Sequence, residues 1–236
     1  MANAENLIEH WLDNSVSAAA RAARCVAERL RNGIGERGVA AMAVSGGRSP
    51  IAFFQELAKQ ELPWEKVSIT LVDERWVPAD SDHSNERLIR EHLLRDAAAA
   101  AKFVPLKTHA ENPQEALGEI EVSLKQLAWP LDVVVLGMGE DGHTASLFPG
   151  ATNLADVLDT SRPNLSVAIQ PPQADHARMS LTLRGLLQTR CIVLLIQNER
   201  KRAVYLRAKN GADAMQYPIA AVLRQREVPV EVFWSP

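Results

Sequence analysis

Three short apolar runs in this chain each stop abruptly at a cluster of polar residues and glycines, and this pattern narrows the possible folds sharply. Val39–Val44 runs into Ser45-Gly-Gly-Arg-Ser-Pro50, and Val67–Val72 into Asp73-Glu-Arg75. The third run, Leu131–Leu136, meets Gly137-Met-Gly-Glu-Asp-Gly-His143. Uninterrupted apolar runs of this length suit strands covered on both faces, as in a parallel sheet. Between them lie segments with helical spacing. One starts from Ser49 with Ile51, Phe53, Phe54 and Leu57 inward, one covers 84–95 with Leu88, Ile89, His92 and Leu93 in a stripe, and one covers 113–127.

Strands alternating with amphipathic helices indicate βαβ units, so the expectation is one α/β domain over residues 1–236 with a mostly parallel sheet flanked by helices. Residues 5–31 read as a long amphipathic helix carrying Leu7, Ile8, Trp11, Leu12, Val16 and Ala19 at helical spacing, stopped by Asn32-Gly33. Further strands are expected near 166–170, 179–183 and 190–196, and a helix over 199–209. Ala97–Ala101 reads as a helix tail and the closing VEVFW as an edge strand.

Composition removes several function classes. The 236 residues are 47% hydrophobic and 23% charged, enough for a substantial core. A formal charge of −3 leaves no broad basic field for nucleic acid, so any bound anion must be held by a local cluster. The two cysteines, Cys25 and Cys191, sit in apolar patterns and read as small buried hydrophobes, and no His/Cys spacing suits a metal. The opening MANAENLIEHWLDN has acids where a signal peptide is basic, and no run approaches the roughly 18 apolar residues of a membrane span. A cytoplasmic protein without membrane or nucleic-acid partners is expected.

Ligands of open α/β sheets bind outside the carboxyl ends of the strands, so the three polar clusters should open onto one edge. In the first, Gly46 and Gly47 let backbone approach a ligand, Ser49 is placed to cap the next helix, and Pro50 fits its first turn. A helix N-terminus there favours phosphate, with Arg48 adding charge, although an ordinary strand-to-helix turn would look the same. Gly137–Gly142 matches GxGxxG with Asp159 beyond it. That fingerprint belongs to a first strand and must open a helix, whereas here HTASLFPG follows, so a dinucleotide site is rejected. His143 is the natural proton carrier, and Asp141 two residues earlier is placed to orient it. Asp73 and Arg75 share one side of an extended segment, and Glu74 between them reads as a surface ion pair.

These blocks resemble the 6-phosphogluconolactonase family. SGGRSP, VDERWVP with DHSNERLIREHLL, GMGEDGHTASLFPG, RMSLTLRGLL and NERKRAVYLRA occur in the expected order from about residue 39 to 210. The GEDGHTASLFPG block is the most specific. The resemblance implies a Rossmann-like fold of the sugar-phosphate isomerase and deaminase type, hydrolysis of a phosphorylated sugar lactone in the oxidative pentose phosphate pathway, and no cofactor or metal. It implies His143, Asp141, Asp73 and Arg75 as catalytic. Ser45, Gly46, Gly47, Arg48, Ser49, Arg178 and Lys201 would hold the sugar phosphate, and His83, Ser84 and Asn85 would start the third helix, with Asn85 near the substrate. The expected partner is a small sugar phosphate, met by a monomer or weak homodimer. The related deaminases resemble DGHIAFNEP at the loop, with a glutamate five residues after the histidine. Here that position is Phe148. A noncatalytic sugar-phosphate sensor would keep the anion grip, and the Asp141–His143 pair favours catalysis over it.

Overall fold

Parallel hydrogen bonding joins seven strands into the central sheet of the structure, a computed structural model that describes residues 6–172 and 174–236. The first half of the chain contains β1 (Leu7–Trp11), α1 (Ser15–Arg37), β2 (Ala40–Val44), α2 (Ile51–Ala58), β3 (Val67–Leu71), β4 (Asp73–Arg75), α3 (Asn85–His92), β5 (Lys102–Val104) and α4 (Pro113–Leu124). The second half adds β6 (Val133–Gly137), α5 (Leu154–Leu158), β7 (Ser166–Ile169), β8 (Arg178–Leu181), α6 (Leu183–Leu187), β9 (Ile192–Gln197), α7 (Glu199–Lys209), α8 (Ile219–Arg224) and β10 (Val230–Ser235). The central sheet runs β1-β10-β9-β6-β2-β3-β5, and a small antiparallel sheet runs β4-β8-β7.

The middle strands are apolar because both faces are covered: every residue of β2 is buried, as are Val133 to Leu136 of β6. Alanines in β2 meet alanines on α1, whose Ala19, Ala22, Ala23 and Ala27 belong to the same core as Ala41 and Ala43. Small side chains on both surfaces let helix and sheet approach closely. The expected α/β architecture with a mostly parallel sheet is thus observed.

The amino-terminal helix is not as the periodicity suggested. Residues 7–11 form β1, paired in parallel with β10, and α1 begins only at Ser15. Glu5, where the longer helix would start, lies outside the described residues. Asn14 supplies the cap, its side chain accepting from the Ser17 N–H at 2.9 Å. Backbone pairing to a distant strand outweighed a pattern that fitted a helix equally well. Asn32-Gly33 does not stop α1, which runs on to a left-handed Gly38 (φ 78°). Gly33 serves close approach instead, since a Cβ there would overlap the Asp132 carboxylate. VEVFW is β10, flanked by β1 and β9 rather than at the edge, which β1 occupies. Ala97–Ala101 falls in a separate 3-10 turn, Asp96–Ala100, because α3 ends at His92.

One buried carboxylate ties this frame together away from the polar rim. Asp132 is 3% exposed, accepts the Ala41 N–H at 2.9 Å and pairs with Arg37 in the last turn of α1. Burial pushes its carboxyl above the ordinary aspartate value, with the Ala41 N–H and Arg37 opposing. Asp132→Ala leaves the buried Ala41 N–H without its acceptor and strips Arg37 of its buried carboxylate, leaving it only Glu36. It should lower the unfolding free energy by about 2–4 kcal/mol, read as an earlier urea midpoint with an unchanged slope.

Candidate active site

Residues from all three polar clusters line one cavity of about 490 Å³ at the carboxyl rim of the central sheet. Ser45, Gly46, Gly47, Arg48 and Ser49 come from the turn after β2, Asp73 and Arg75 from β4, His143 from the loop after β6, and Lys201 from α7. Asn85 of α3 completes the wall with Gly137, Met138, Gly139 and Ala145. Asp141 and Arg178 stand behind this lining, each against a residue that belongs to it.

The loop after β6 folds back tightly on itself. Gly139 N–H donates to His143 C=O at 2.9 Å, Gly142 N–H to Gly139 C=O at 3.1 Å, and Thr144 Oγ1 to Gly137 C=O at 2.8 Å. Gly142 has φ +83°, and a Cβ there would come within 2.6 Å of the Tyr217 ring. Asp141 Oδ1 meets both the His143 N–H at 3.1 Å and the ring Nδ1 at 2.6 Å. A carboxylate only accepts, so in the neutral imidazole the hydrogen sits on Nδ1 and Nε2 keeps the lone pair. Burial resists ionisation of Asp141, but the hydrogen bonds and charge of His143 outweigh it and hold the carboxyl below its ordinary value. Phe148 packs on the imidazole with ring centroids 4.6 Å apart.

On the opposite wall, β4 pairs with β8 so that Asp73 faces Ser180 and Arg75 faces Arg178. Asp73 is nearly buried, and its Oδ2 accepts from Ser146 Oγ at 2.6 Å. Ser146 was not anticipated; only its place within the HTAS segment hinted at it. Arg75 donates to His83 C=O and Arg178 to His176 C=O, both at 2.7 Å. Burial and then the facing Arg75 charge press the Arg178 pKa below the ordinary arginine value, with Asp73, Glu74 and Asp175 offsetting part of this.

Glu74 is not the surface ion pair expected of it. It is 1% exposed and accepts from Arg75 N–H at 2.7 Å, from Asn85 N–H and Glu86 N–H at 2.8 Å, and from Ser84 Oγ at 3.1 Å. Alternation along β4 turns this side chain inward, where it satisfies the free N–H groups at the start of α3. Ser84 is the N-cap, accepting from Arg87 N–H.

The turn after β2 bends through Gly47, whose φ is +90°. Ser45 Oγ accepts from Gly137 N–H at 3.2 Å and stitches this turn to the β6 loop. Ser49 does not cap α2: Pro50 occupies the cap position, without a side-chain hydrogen bond. The first N–H groups of α2 therefore lack the side-chain cap expected from Ser49. Lys201 sits in the first turn of α7, where Asn198 Oδ1 accepts its backbone N–H at 3.0 Å. Burial lowers the Lys201 pKa, opposed by Glu140. Its neighbours point elsewhere: Arg200 lies 3.9 Å from Glu140 in solvent, and Arg202 packs over the Trp11 and Trp234 rings. Among the described residues no group of three or more His, Cys, Asp or Glu is placed to hold a metal ion, and no helix is long and apolar enough to cross a membrane.

A parallel α/β sheet whose rim joins a cationic turn to a His–Asp pair is a site able to hold an anion beside a proton carrier, as in an acid–base enzyme of anionic substrates. Residues 13–234 match the family of glucosamine-6-phosphate isomerases/6-phosphogluconolactonase, and the chain belongs to that family. Within it the similarity runs to 6-phosphogluconolactonases. One from Rhizobium meliloti is 42% identical over 96% of this chain and 98% of its own, and one from Mesorhizobium japonicum is 46% identical over 89% and 88%. The crystal structure of a 6-phosphogluconolactonase from Shewanella baltica matches with a TM-score of 0.95 and 41% identity, covering 98% of this chain and 99% of that one. A monomeric glucosamine-6-phosphate deaminase shares the fold at a TM-score of 0.78 and 15% identity, with 97% of each chain covered.

The Asp141 carboxyl ionises more readily folded than unfolded. Between its two pKa values the folded state binds fewer protons, so its contribution to stability is complete above the ordinary value of 3.8 and is lost as pH falls through the lower folded value. Urea midpoints of the wild type and Asp141→Asn should therefore differ at pH 7 and draw together as the pH is taken below about 4.

Proposed function

We propose that this cavity binds 6-phospho-D-glucono-1,5-lactone and that His143 activates the water that opens its ring. The chain is a lactone-hydrolysing enzyme of the 6-phosphogluconolactonase kind, a step of the oxidative pentose phosphate pathway. The observation that carries the residue assignment is His143, held by Asp141 at 2.6 Å, in one cavity with the Gly46–Ser49 turn and Lys201.

The chemistry follows from those groups. His143 Nε2 takes a proton from water as the water oxygen adds to the lactone carbonyl carbon, and the ionised Asp141 stabilises the imidazolium. Negative charge collects on the former carbonyl oxygen, and Arg75 is the fixed cation placed to meet it, with Arg178 behind. Collapse breaks the bond from carbonyl carbon to ring oxygen, the imidazolium returns the proton to that oxygen, and the new acid releases its own proton to solvent. Asp73, held by Ser146, lines the reacting end. The phosphate carries nearly two charges and is gripped by the Ser45–Ser49 turn with Arg48 and Lys201. No carboxyl follows His143 at the position of Phe148, which separates this site from ring-opening deaminase chemistry. We read residues 1–236 as one unit, a monomer or weak homodimer, working in a reducing cytoplasm where Cys25 and Cys191 stay free thiols.

His143→Ala should lower kcat/KM by roughly a hundred- to ten-thousand-fold in a pH-stat assay corrected for spontaneous hydrolysis, with the melting temperature nearly unchanged. Unchanged turnover in a folded variant overturns the base assignment. Lys201→Ala should instead raise KM with little change in kcat, because phosphate binding is shared by ground and transition states. A fall in kcat alone would place Lys201 at the reacting end.

A further inference from the structure

The segment from His143 to Phe148 closes on itself as a tight turn. Thr144 and Leu147 form an isolated antiparallel bridge, and the Leu147 N–H donates to the Thr144 C=O at 2.9 Å. Ala145 takes the left-handed backbone (φ 47°) that lets so short a turn close. Ser146 at its tip donates through Oγ to Asp73 Oδ2 at 2.6 Å and through its N–H to Ser180 Oγ at 3.2 Å. Positions flanking an antiparallel bridge are opposite neighbours, so His143 and Phe148 stand side by side. Their ring centroids are 4.6 Å apart and their planes differ by 39°, a contact nearer stacked than edge-on. The imidazole thus has Asp141 on Nδ1, an aromatic ring leaning over it, and Nε2 left for the reacting water.

We propose that the Phe148 ring stabilises the imidazolium that His143 becomes on taking the proton from water, and so speeds ring opening through His143 without touching the lactone. This rests on the lactone reading of the cavity above. Arg48, Arg75 and Lys201 in the same cavity suit a dianion and do nothing for a cation formed at His143. Asp141 answers that cation with one negative charge. A second carboxylate beside the ring would help the imidazolium but repel a substrate that carries nearly two negative charges. An aromatic face avoids the conflict. Its quadrupole attracts a cation within about 6 Å of the ring centre, and the ring has no net charge to present to the substrate. The neutral imidazole gains little from the same contact, so the stabilisation grows as the proton moves.

The test replaces Phe148 with 4-fluoro-, 3,5-difluoro- and 3,4,5-trifluorophenylalanine, and separately with Leu and Tyr. Rates on freshly generated 6-phosphogluconolactone are read by pH-stat at a pH where turnover no longer rises with pH, so that His143 starts neutral. Fluorine draws electron density from the ring face and barely alters packing. Turnover (kcat) should therefore fall stepwise along the series, by roughly 2- to 30-fold at the trifluoro ring, with KM unchanged within about twofold. Phe148→Leu, which keeps an apolar side chain without a π face, should lose a similar factor in kcat, and Phe148→Tyr should keep most of the rate. Equal kcat across the fluorinated rings overturns the proposal whether or not Phe148→Leu loses activity, because a loss in Leu alone marks simple packing. An effect confined to KM overturns it as well. Neither outcome touches the lactonase reading, which His143→Ala tests separately.

Discussion

The hydrogen-bonded pairing of β2 with β3 on one side and β6 on the other is the interaction on which the rest of this structure depends. Met42 lies against Ile69 and Val133, Ala43 against Thr70 and Val134, and Val44 against Leu71 and Val135. Because all three strands run the same way, the turns that leave them emerge on one rim. Gly137 N–H donates to Ser45 Oγ and so joins two of those turns. A one-residue slip in β2 would carry the Ser45–Ser49 turn along the strand axis and out of step with the β6 loop. The meeting of these turns is therefore a consequence of register.

Much of this was legible because strongly apolar runs admit few alternatives. Ile192–Gln197 and the helix over Glu199–Lys209 lie where the pattern put them, and so does the strand after Leu131. The failures have a common physical origin in long-range contacts. LIEHW carries residues at both helical and strand spacing, and only the distant β10 decides between them. Asp73-Glu-Arg75 reads as the extended end of the strand before it, and it is extended, but as a strand of a second sheet, paired with Arg178–Leu181 across a hundred residues of sequence. Glu74 looked exposed because a charge between two charges usually is. Its partners are main-chain N–H groups eleven and twelve residues on, and no sequence pattern advertises these.

The site is held by polar groups that do no chemistry themselves. Glu74 fixes the start of α3, α3 presents Asn85, and Asn85 holds the Asp73 carbonyl, while Ser146 fixes the Asp73 carboxylate from the β6 loop. Each link is a hydrogen bond of 2.6–2.8 Å made between buried groups. In a water-poor setting such bonds strengthen one another, and breaking one exposes the next to an unmet partner. This explains how a loop-built site keeps its geometry: the loops are cross-linked to one another and to a helix, not only to the sheet.

Arg75 and Arg178 make the opposite case, two like charges at paired positions of the small sheet. They face each other across an antiparallel pair, where like charges directly opposite destabilise a sheet, and burial of Arg178 aggravates this. Asp73, Glu74 and Asp175 only partly compensate. Each guanidinium gives an N–H to a neighbouring loop carbonyl, at His83 and at His176, so the pair also stiffens the two loops beside it. Two cations brought together at such cost make sense where a negative charge is expected between or beside them. A dianionic substrate that becomes more negative at its carbonyl oxygen during ring opening relieves the repulsion, and relieves it most at the point of greatest charge. On the proposed reading, the facing like charges of β4 and β8 are then one source of preference for the transition state over the bound lactone.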